Sequence, residues 1–386
     1  MIYNYIIVVE VGLQELQGNH SSRARRTVQS HRRKAACPQM DGIISGQSNP
    51  IIVLVMILSL ALVVFSADKL IDHAVIVSEA LGVPRIVVGA TIISLGTTLP
   101  ELATAIVAVS QGSSDLAVGN ATGSVITNTT LALGAGAAFG SIPVLRETTA
   151  KLRIFTVVAI ALMVFCLIGS GLTSFSSGGN LPQWAGIVLL AAVPMYLFRM
   201  FKGTARLKNP HRVSNNDNGQ KGGGEPDKSD NGISLMLKSL CWVAVFAVFL
   251  ALGSDAAVSS ASTLAGRAGI SEVLIASTII ALGTSLPELV TTVNAARKGR
   301  GDLAVGNVLG ANILNMTLVL GYSASFSEGG VYIAKTIFTT HFPIMLVILA
   351  IISYMVYNTS KLRISRNEGI GLISLYAFYL VLLLVT

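Results

Sequence analysis

The stretch Ile92–Asn128 occurs twice in this chain, and no other feature restricts its fold as much. The first copy reads TIISLGTTLPELAT and then QGSSDLAVGNATGSVITN. The second, 187 positions later and without a gap, reads TIIALGTSLPELVT and KGRGDLAVGNVLGANILN. Thr97, Pro100, Glu101, Asp115, Gly119, Asn120 and Asn128 fall on Thr284, Pro287, Glu288, Asp302, Gly306, Asn307 and Asn315, and Asp68 falls on Asp255. Roughly half the positions between Gly89 and Gly134 are identical in the two copies. Self-similarity at a fixed spacing marks a duplicated structural unit.

What kind of unit follows from composition. Hydrophobic residues make up 52% of the chain and charged residues 12%, and the mean hydropathy is +0.69. These values exclude an ordinary soluble domain and point to a polytopic membrane protein. The formal charge of +8 does not argue for nucleic acid, because the basic residues stand between apolar runs and read as topology determinants. Cys37, Cys166 and Cys241 are scattered, without a disulfide framework or a CxxC pair.

Apolar runs long enough to cross a bilayer of ~30 Å recur from Asn49 onward. They lie at 50–70, 85–110, 116–140, 152–172 and 183–200, then at 233–258, 272–296, 303–324, 336–357 and 369–386. The expected fold is therefore all-α, with ten transmembrane helices in two halves, 48–201 and 233–386. A polar segment at 202–232, rich in Gly, Asn, Asp and Lys, has the composition of a linker. Lys and Arg crowd the odd-numbered connections, while the even-numbered ones hold only Arg267 and Lys335. The positive-inside rule then places the odd loops and the central linker in the cytoplasm and both termini outside. With five helices per half, the second copy enters from the opposite side, which makes an inverted-topology repeat.

Residues 1–47 do not match this pattern. Arg23, Arg25, Arg26, Arg32, Arg33 and Lys34 follow a short apolar run with no acidic residue among them. The segment reads either as a transit-type leader or, preferably, as a translated upstream stretch with the start near Met40. Its charge would lie outside, against the rule.

The chemistry sits in the repeat. Each copy interrupts a helix with Gly-Thr-(Thr/Ser)-Leu-Pro-Glu. Pro100 and Pro287 remove a backbone donor and clash one turn back, loosening carbonyls near Ser94–Gly96 and Ala281–Gly283. Loosened backbone at membrane depth is tolerated where it lines a cavity. Beside each break stands a carboxylate, Glu101 or Glu288, and an ionisable residue within an apolar span is a functional hypothesis by default. Thr97 and Thr98 share a helix face with Glu101, as Thr284 and Ser285 do with Glu288. In the next helix Ser124 and Asn128 share a face, as do Asn307, Ala311 and Asn315. An inverted two-fold brings these faces together as a cage of oxygen ligands, suited to hard cations such as Ca²⁺. A single proline-glutamate break would read as a kinked helix; two copies in opposed spans favour a cation site. Asp115 and Asp302 read as helix caps, most of the glycines as packing residues, and His73 as interfacial. Asp68 and Asp255 are open between packing and gating.

The paired GTTLPE/GTSLPE and GNATGSVITN/GNVLGANILN segments resemble the α-repeats of the calcium/cation antiporter superfamily, specifically its sodium/calcium exchangers, over residues 50–386. The resemblance implies that helices 2, 3, 7 and 8 form the ion-binding core and that helices 1 and 6 slide across it. It implies Glu101 and Glu288 as shared Ca²⁺/Na⁺ ligands and Thr97 and Thr284 at the calcium site. Thr98, Ser285 and Ser124 fall at sodium sites, and Ser94 and Ala281 would act through their carbonyls. Asn315 stands where some members carry Asp, and Ala311 where a hydroxyl is usual. That leaves two formal negative charges and one sodium ligand fewer.

The expected activity is exchange of Ca²⁺ for Na⁺ across the cell membrane by alternating access, electrogenic if three Na⁺ replace one Ca²⁺. The protein would be a transporter without catalytic residues or a cofactor, its partners being the two ions and the bilayer. A proton/Ca²⁺ antiporter on the same fold is the neighbouring alternative; the hydroxyls of Thr98, Ser124 and Ser285 favour Na⁺. An intramembrane hydrolase using the two glutamates lacks HExxH, GxSxG or another nucleophile motif. A passive channel would not need counter-ion-dependent flux.

Overall fold

A computed structural model describes residues 44, 46–110, 114–170, 177–205, 230–269, 281–358 and 363–385. Most of the 1–47 leader, the centre of the linker and the start of the seventh expected span lie outside the described residues. The helices are α1 (Asn49–Leu81), α2 (Leu99–Ser110), α3 (Ser114–Thr127), α4 (Leu133–Phe139), α5 (Arg146–Ser170) and α6 (Gln183–Ala205). They continue with α7 (Asp230–Arg267), α8 (Leu286–Arg297), α9 (Gly301–Leu314), α10 (Leu320–Phe326), α11 (Phe342–Asn358) and α12 (Arg366–Val385). Short strands β1 (Ile142–Pro143) and β4 (Arg363–Ile364) pair antiparallel, as do β2 (Gly179–Leu181) and β3 (Val331–Ile333).

The duplication returns in the coordinates. The helical piece Ser94–Thr97, α2, α3, the π-helical turn Asn128–Ala132 and α4 recur 187 positions on as Ala281–Thr284, α8, α9, the π-turn Asn315–Val319 and α10. Boundaries that lie within the described stretches agree to the residue. Packing recurs too: α6 lies on α10 as α12 lies on α4, and α2 meets α10 as α8 meets α4. The two strand pairs are counterparts of one another, and α1 and α7, themselves counterparts, pack together.

Six helices among the described residues are long and apolar enough to cross a membrane, or seven if Arg85–Thr97 and Leu99–Ser110, bent by 41°, form one span. The protein is an integral multi-pass membrane protein. Of the ten expected spans, those at 116–140 and 369–386 are helical without being among these seven, and that at 272–296 lies partly outside the described residues. Burial separates lipid-facing from central helices. In α1, 22% of the most apolar window is buried, against 94% in Gly301–Phe326, which is thus the centre of the molecule. Exposed Leu54, Ile57, Leu58, Leu62 and Phe65 cover the lipid side of α1.

Local sequence explains the ends. Pro50 opens α1, and Gly82, at φ +61°, closes it with its N–H on the carbonyls of Glu79 and Ser78, a left-handed cap that favours glycine. The Gly306-x-x-x-Gly310 pair lets α9 press against the helix ahead of Glu101, where a Cβ on Gly310 would lie 2.6 Å from the Ala90 carbonyl oxygen. Polar side chains stitch the spans together. Tyr196 donates to the Ala90 carbonyl at 2.6 Å, within the π-turn Gly89–Ile93. His341 lies 2.8 Å from Thr122 and 3.4 Å from the Tyr379 hydroxyl.

Candidate cation-binding site

Buried polar groups in proteins nearly always find hydrogen-bond partners. This molecule has a cluster that does not. Both carboxylate oxygens of Glu101 and of Glu288 are fully buried and unpartnered, and so are both amide atoms of Asn128 and of Asn315. The hydroxyls of Thr98, Ser124 and Ser285 are buried and unpartnered as well. Seven of the residues named from sequence therefore share one property, concentrated in the duplicated segments. An unpartnered buried polar atom costs about 1–3 kcal/mol, and a charge costs more. Such a set persists where the groups serve something other than the fold.

The breaks position them. Thr98 and Ser285 stand between the short helices ending at Thr97 and Thr284 and the helices α2 and α8, so each glutamate lies in a first helical turn, where partial positive charge favours a carboxylate. Glu101 is within electrostatic reach of Glu288 and beside the Ser124 hydroxyl, and Glu288 is beside the Thr97 hydroxyl; these side chains meet outside hydrogen-bond geometry. Asn128 and Asn315 each open a π-turn at the end of α3 and α9. The turn widens the helix at an asparagine whose amide is buried and unpartnered, and π-turns recur at functional sites.

Other expected residues behave differently. Thr97 is buried, and its hydroxyl lies 3.3 Å from both the Ser94 carbonyl and Asn307 Oδ1. It can donate to one and keep its lone pairs. Thr284 is half-buried. The Ser94 carbonyl, expected to be loose, already accepts the Thr98 N–H at 2.9 Å, because the proline releases the carbonyl four residues back, that of Gly96. Ala281 is the first described residue of its short helix.

Asn307 carries a role that the sequence reading did not assign. It accepts from Thr97 and donates to Thr291 at 3.0 Å, while Thr291 donates to the Pro287 carbonyl at 2.7 Å. One amide thus ties the break of the first half to that of the second. The signal was present, since Asn307 shares a face with Asn315, but its partners lie 210 and 16 residues away.

Asp302, expected as a cap, lies inside the first turn of α9 and accepts the Leu303 N–H at 3.0 Å, while the capping position is Arg300, without a side-chain cap hydrogen bond; the side chain of Asp115 lies outside the described residues. His73 stacks on Trp242 and Phe246, away from the site. Asp68 binds Lys298 at the end of α8. Among the described residues no group of three or more His, Cys, Asp or Glu gathers to hold a metal. The cage has two carboxylates and otherwise neutral oxygens, a donor set for hard cations.

A family model described as sodium/calcium exchanger protein matches residues 51–202 and 238–385. The inner membrane protein YrbG of Escherichia coli (strain K12) is 31% identical over 318 residues, covering 82% of this chain and 91% of that protein. The sodium/calcium exchanger MaX1 of Methanosarcina acetivorans is 29% identical over 348 residues, covering 86% of this chain and 97% of that protein. The solved structure of the sodium-calcium exchanger NCX_Mj, soaked with 10 mM Na⁺ and zero Ca²⁺, superposes with a TM-score of 0.69 at 23% identity. It covers 86% of this chain and 99% of that one, and shows a shared fold.

Proposed function

The chain belongs to the sodium/calcium exchanger family, a family of transporters rather than enzymes, and on that footing we propose that it exchanges Ca²⁺ for Na⁺ by alternating access. The observation that carries this reading is the coincidence of the unpartnered, fully buried oxygens with the repeated motif. Glu101 and Glu288 balance one Ca²⁺, with Thr97 and Thr284 completing that site. Thr98, Ser124, Ser285, Asn128 and Asn315, with the carbonyls of the Ser94 and Ala281 turns, hold Na⁺.

Coupling follows from charge. Two bare carboxylates in a low-dielectric site are costly to move, so only occupied forms switch sides. Several Na⁺ spread over neighbouring oxygens replace the divalent ion. With three Na⁺ for one Ca²⁺, each cycle carries a net charge and responds to voltage by ~2.3 kcal/mol per 100 mV.

The architecture we propose is ten spans in two inverted halves, 48–201 and 233–386, joined by a cytoplasmic linker, in the cell membrane with both termini outside. The recurrence of packing relations at the 187-residue shift supports it. Both strand pairs also join loops that the basic residues place on one side.

The test is uptake of radiolabelled Ca²⁺ into Na⁺-loaded proteoliposomes, with and without an imposed pH gradient. Uptake that follows the Na⁺ gradient and ignores pH is expected. Uptake that follows the pH gradient instead would make the glutamates proton carriers and the protein a proton/Ca²⁺ antiporter.

A further inference from the structure

Helical threonines in this protein share a habit. Their hydroxyls donate to the carbonyl one turn back: Thr91 to Val87 at 2.8 Å, Thr130 to Ile126 at 2.6 Å, Thr291 to Pro287 at 2.7 Å and Thr317 to Ile313 at 2.7 Å. Where no water is at hand, this satisfies the hydroxyl within its own helix. Thr292 departs from the habit. It is fully buried in the interior of α8, and its Oγ1 has no hydrogen-bond partner. Among the described residues the other such threonine is Thr98, which stands at the helix break beside Pro100 and Glu101.

Thr292 follows Glu288 by four residues and so shares its helix face. Helix α8 packs against the π-turn Asn128–Ala132, whose Asn128 has both amide atoms unpartnered. The Thr292 methyl lies beside Gly136, 2.9 Å from where a Cβ there would stand. The halves differ at this point. The counterpart of Thr292 is Ala105, and the counterpart of Ser124 is Ala311. At these two positions the first half thus offers a hydroxyl from α3 and none from α2, while the second offers one from α8 and none from α9.

We propose that Thr292 is a further cation-coordinating residue, giving the Glu288 side the oxygen that Ala311 lacks. The inference rests on the exchanger reading. A hydroxyl adds an oxygen without charge, so it serves a monovalent ion that shares one carboxylate. It serves less well a divalent ion that requires two. The ion assigned to it is Na⁺.

Thr292→Val tests this, since valine fills the same volume. Removing an orphan hydroxyl leaves the cation-free fold unchanged or more stable, whereas removing a structural hydrogen bond weakens it. Two quantities are measured in purified full-length protein: the unfolding midpoint during Na⁺ and Ca²⁺ titrations, and Na⁺-driven Ca²⁺ flux in proteoliposomes. The expected result is a half-saturating Na⁺ concentration raised about tenfold, the scale of one lost polar contact, with a smaller change for Ca²⁺ and no loss of cation-free stability. Thr292→Ser keeps the wild-type curve. The double variant Thr292→Val, Ala311→Ser recovers most of the Na⁺ affinity, because it returns a hydroxyl from α9. An unmoved Na⁺ curve in Thr292→Val overturns the inference, and so does a cation-free stability that falls with affinity. If wild-type protein itself shows no Na⁺-dependent stabilisation and no Na⁺-driven flux, the exchanger reading falls and takes this inference with it.

Discussion

At the scale of single residues, the site is legible because burial of charge within an apolar run can be read without coordinates. Glu101 and Glu288 stand out in sequence, and their oxygens are fully buried and unpartnered. Glu101→Gln and Glu288→Gln should each leave a folded protein, with cation-free stability unchanged or raised, since a neutral amide replaces an unpaired buried charge. Ca²⁺ affinity should fall by more than about a hundredfold, because losing one partner of a buried charge interaction costs about 3–5 kcal/mol. Calorimetric titration of Ca²⁺ into each purified variant measures this, and near wild-type affinity in either would remove that carboxylate from the site. What the sequence hid at this scale is pairing. Asn307 was visible as a residue on the right face, but its bridge between Thr97 and Thr291 depends on how the halves meet. The Ser94 carbonyl illustrates the converse, since a hydrogen bond from Thr98 occupies it.

At the scale of elements, the breaks at Pro100 and Pro287 were legible from proline stereochemistry, whereas the π-turns at Asn128 and Asn315 were not. An extra residue in a turn has no hydropathy signature, and both turns begin at the asparagines whose amides are buried and unpartnered. The role of Asp68 was also hidden. Lys298, at the end of α8, lies 2.8 Å from Asp68 and 2.7 Å from Asp72, and Asn294, one turn earlier, donates to the Val64 carbonyl at 3.3 Å. One face of α8 thus grips α1 at three successive turns. Burial alone would lower the Lys298 ammonium pKa, but the hydrogen bonds and charges of Asp68 and Asp72 outweigh it and the net direction is up. A raised pKa means that this contribution is fully present below the ordinary lysine value near ~10.4. It is lost as pH rises through the higher folded value, so the grip persists unchanged on the lysine side through neutral pH. The group is partly exposed, so the grip contributes roughly 1 kcal/mol. Lys298→Gln should therefore speed amide hydrogen exchange along residues 64–81 by about fivefold at neutral pH, without altering Ca²⁺ affinity. Unchanged exchange there would mean that the contacts carry no conformational weight. The counterpart of Lys298 in the first half is Gln111, so the ion pair belongs to one end of the protein.

At the scale of the whole molecule, duplication was the most legible feature, and the coordinates repeat its boundaries to the residue. The span count was less so. The expected spans at 116–140 and 369–386 are helical without meeting the test of length and apolarity, and that at 272–296 lies partly outside the described residues. Sidedness follows from the strand pairs taken together with the basic residues of the loops they join. In the proposed ten-span architecture, the connections after the third and ninth spans are paired through β1 and β4, and those after the fourth and eighth through β2 and β3. A strand pair cannot form across a bilayer, so each pair fixes its two loops to one face. The first pair joins loops bearing Arg146, Lys361, Arg363 and Arg366, while the second joins loops with Lys335 as their one basic residue. In the orientation we propose, the positive-inside rule puts the first in the cytoplasm and the second outside. Arg267 reaches Gln47 and Asn49 across the start of α1, which places the far end of α7 on the same side as the entry to α1 and agrees with that assignment. In protein whose native cysteines are replaced by serine, Glu328→Cys, exposed beside β3, should react with a membrane-impermeant maleimide in sealed right-side-out vesicles. Arg297→Cys, exposed at the end of α8, should react only after the vesicles are opened. The reverse pattern would invert the orientation while leaving the paired loops together. Labelling of both cysteines from one side would separate residues 297 and 328 by no complete span, and would refute the crossing of the central helix itself.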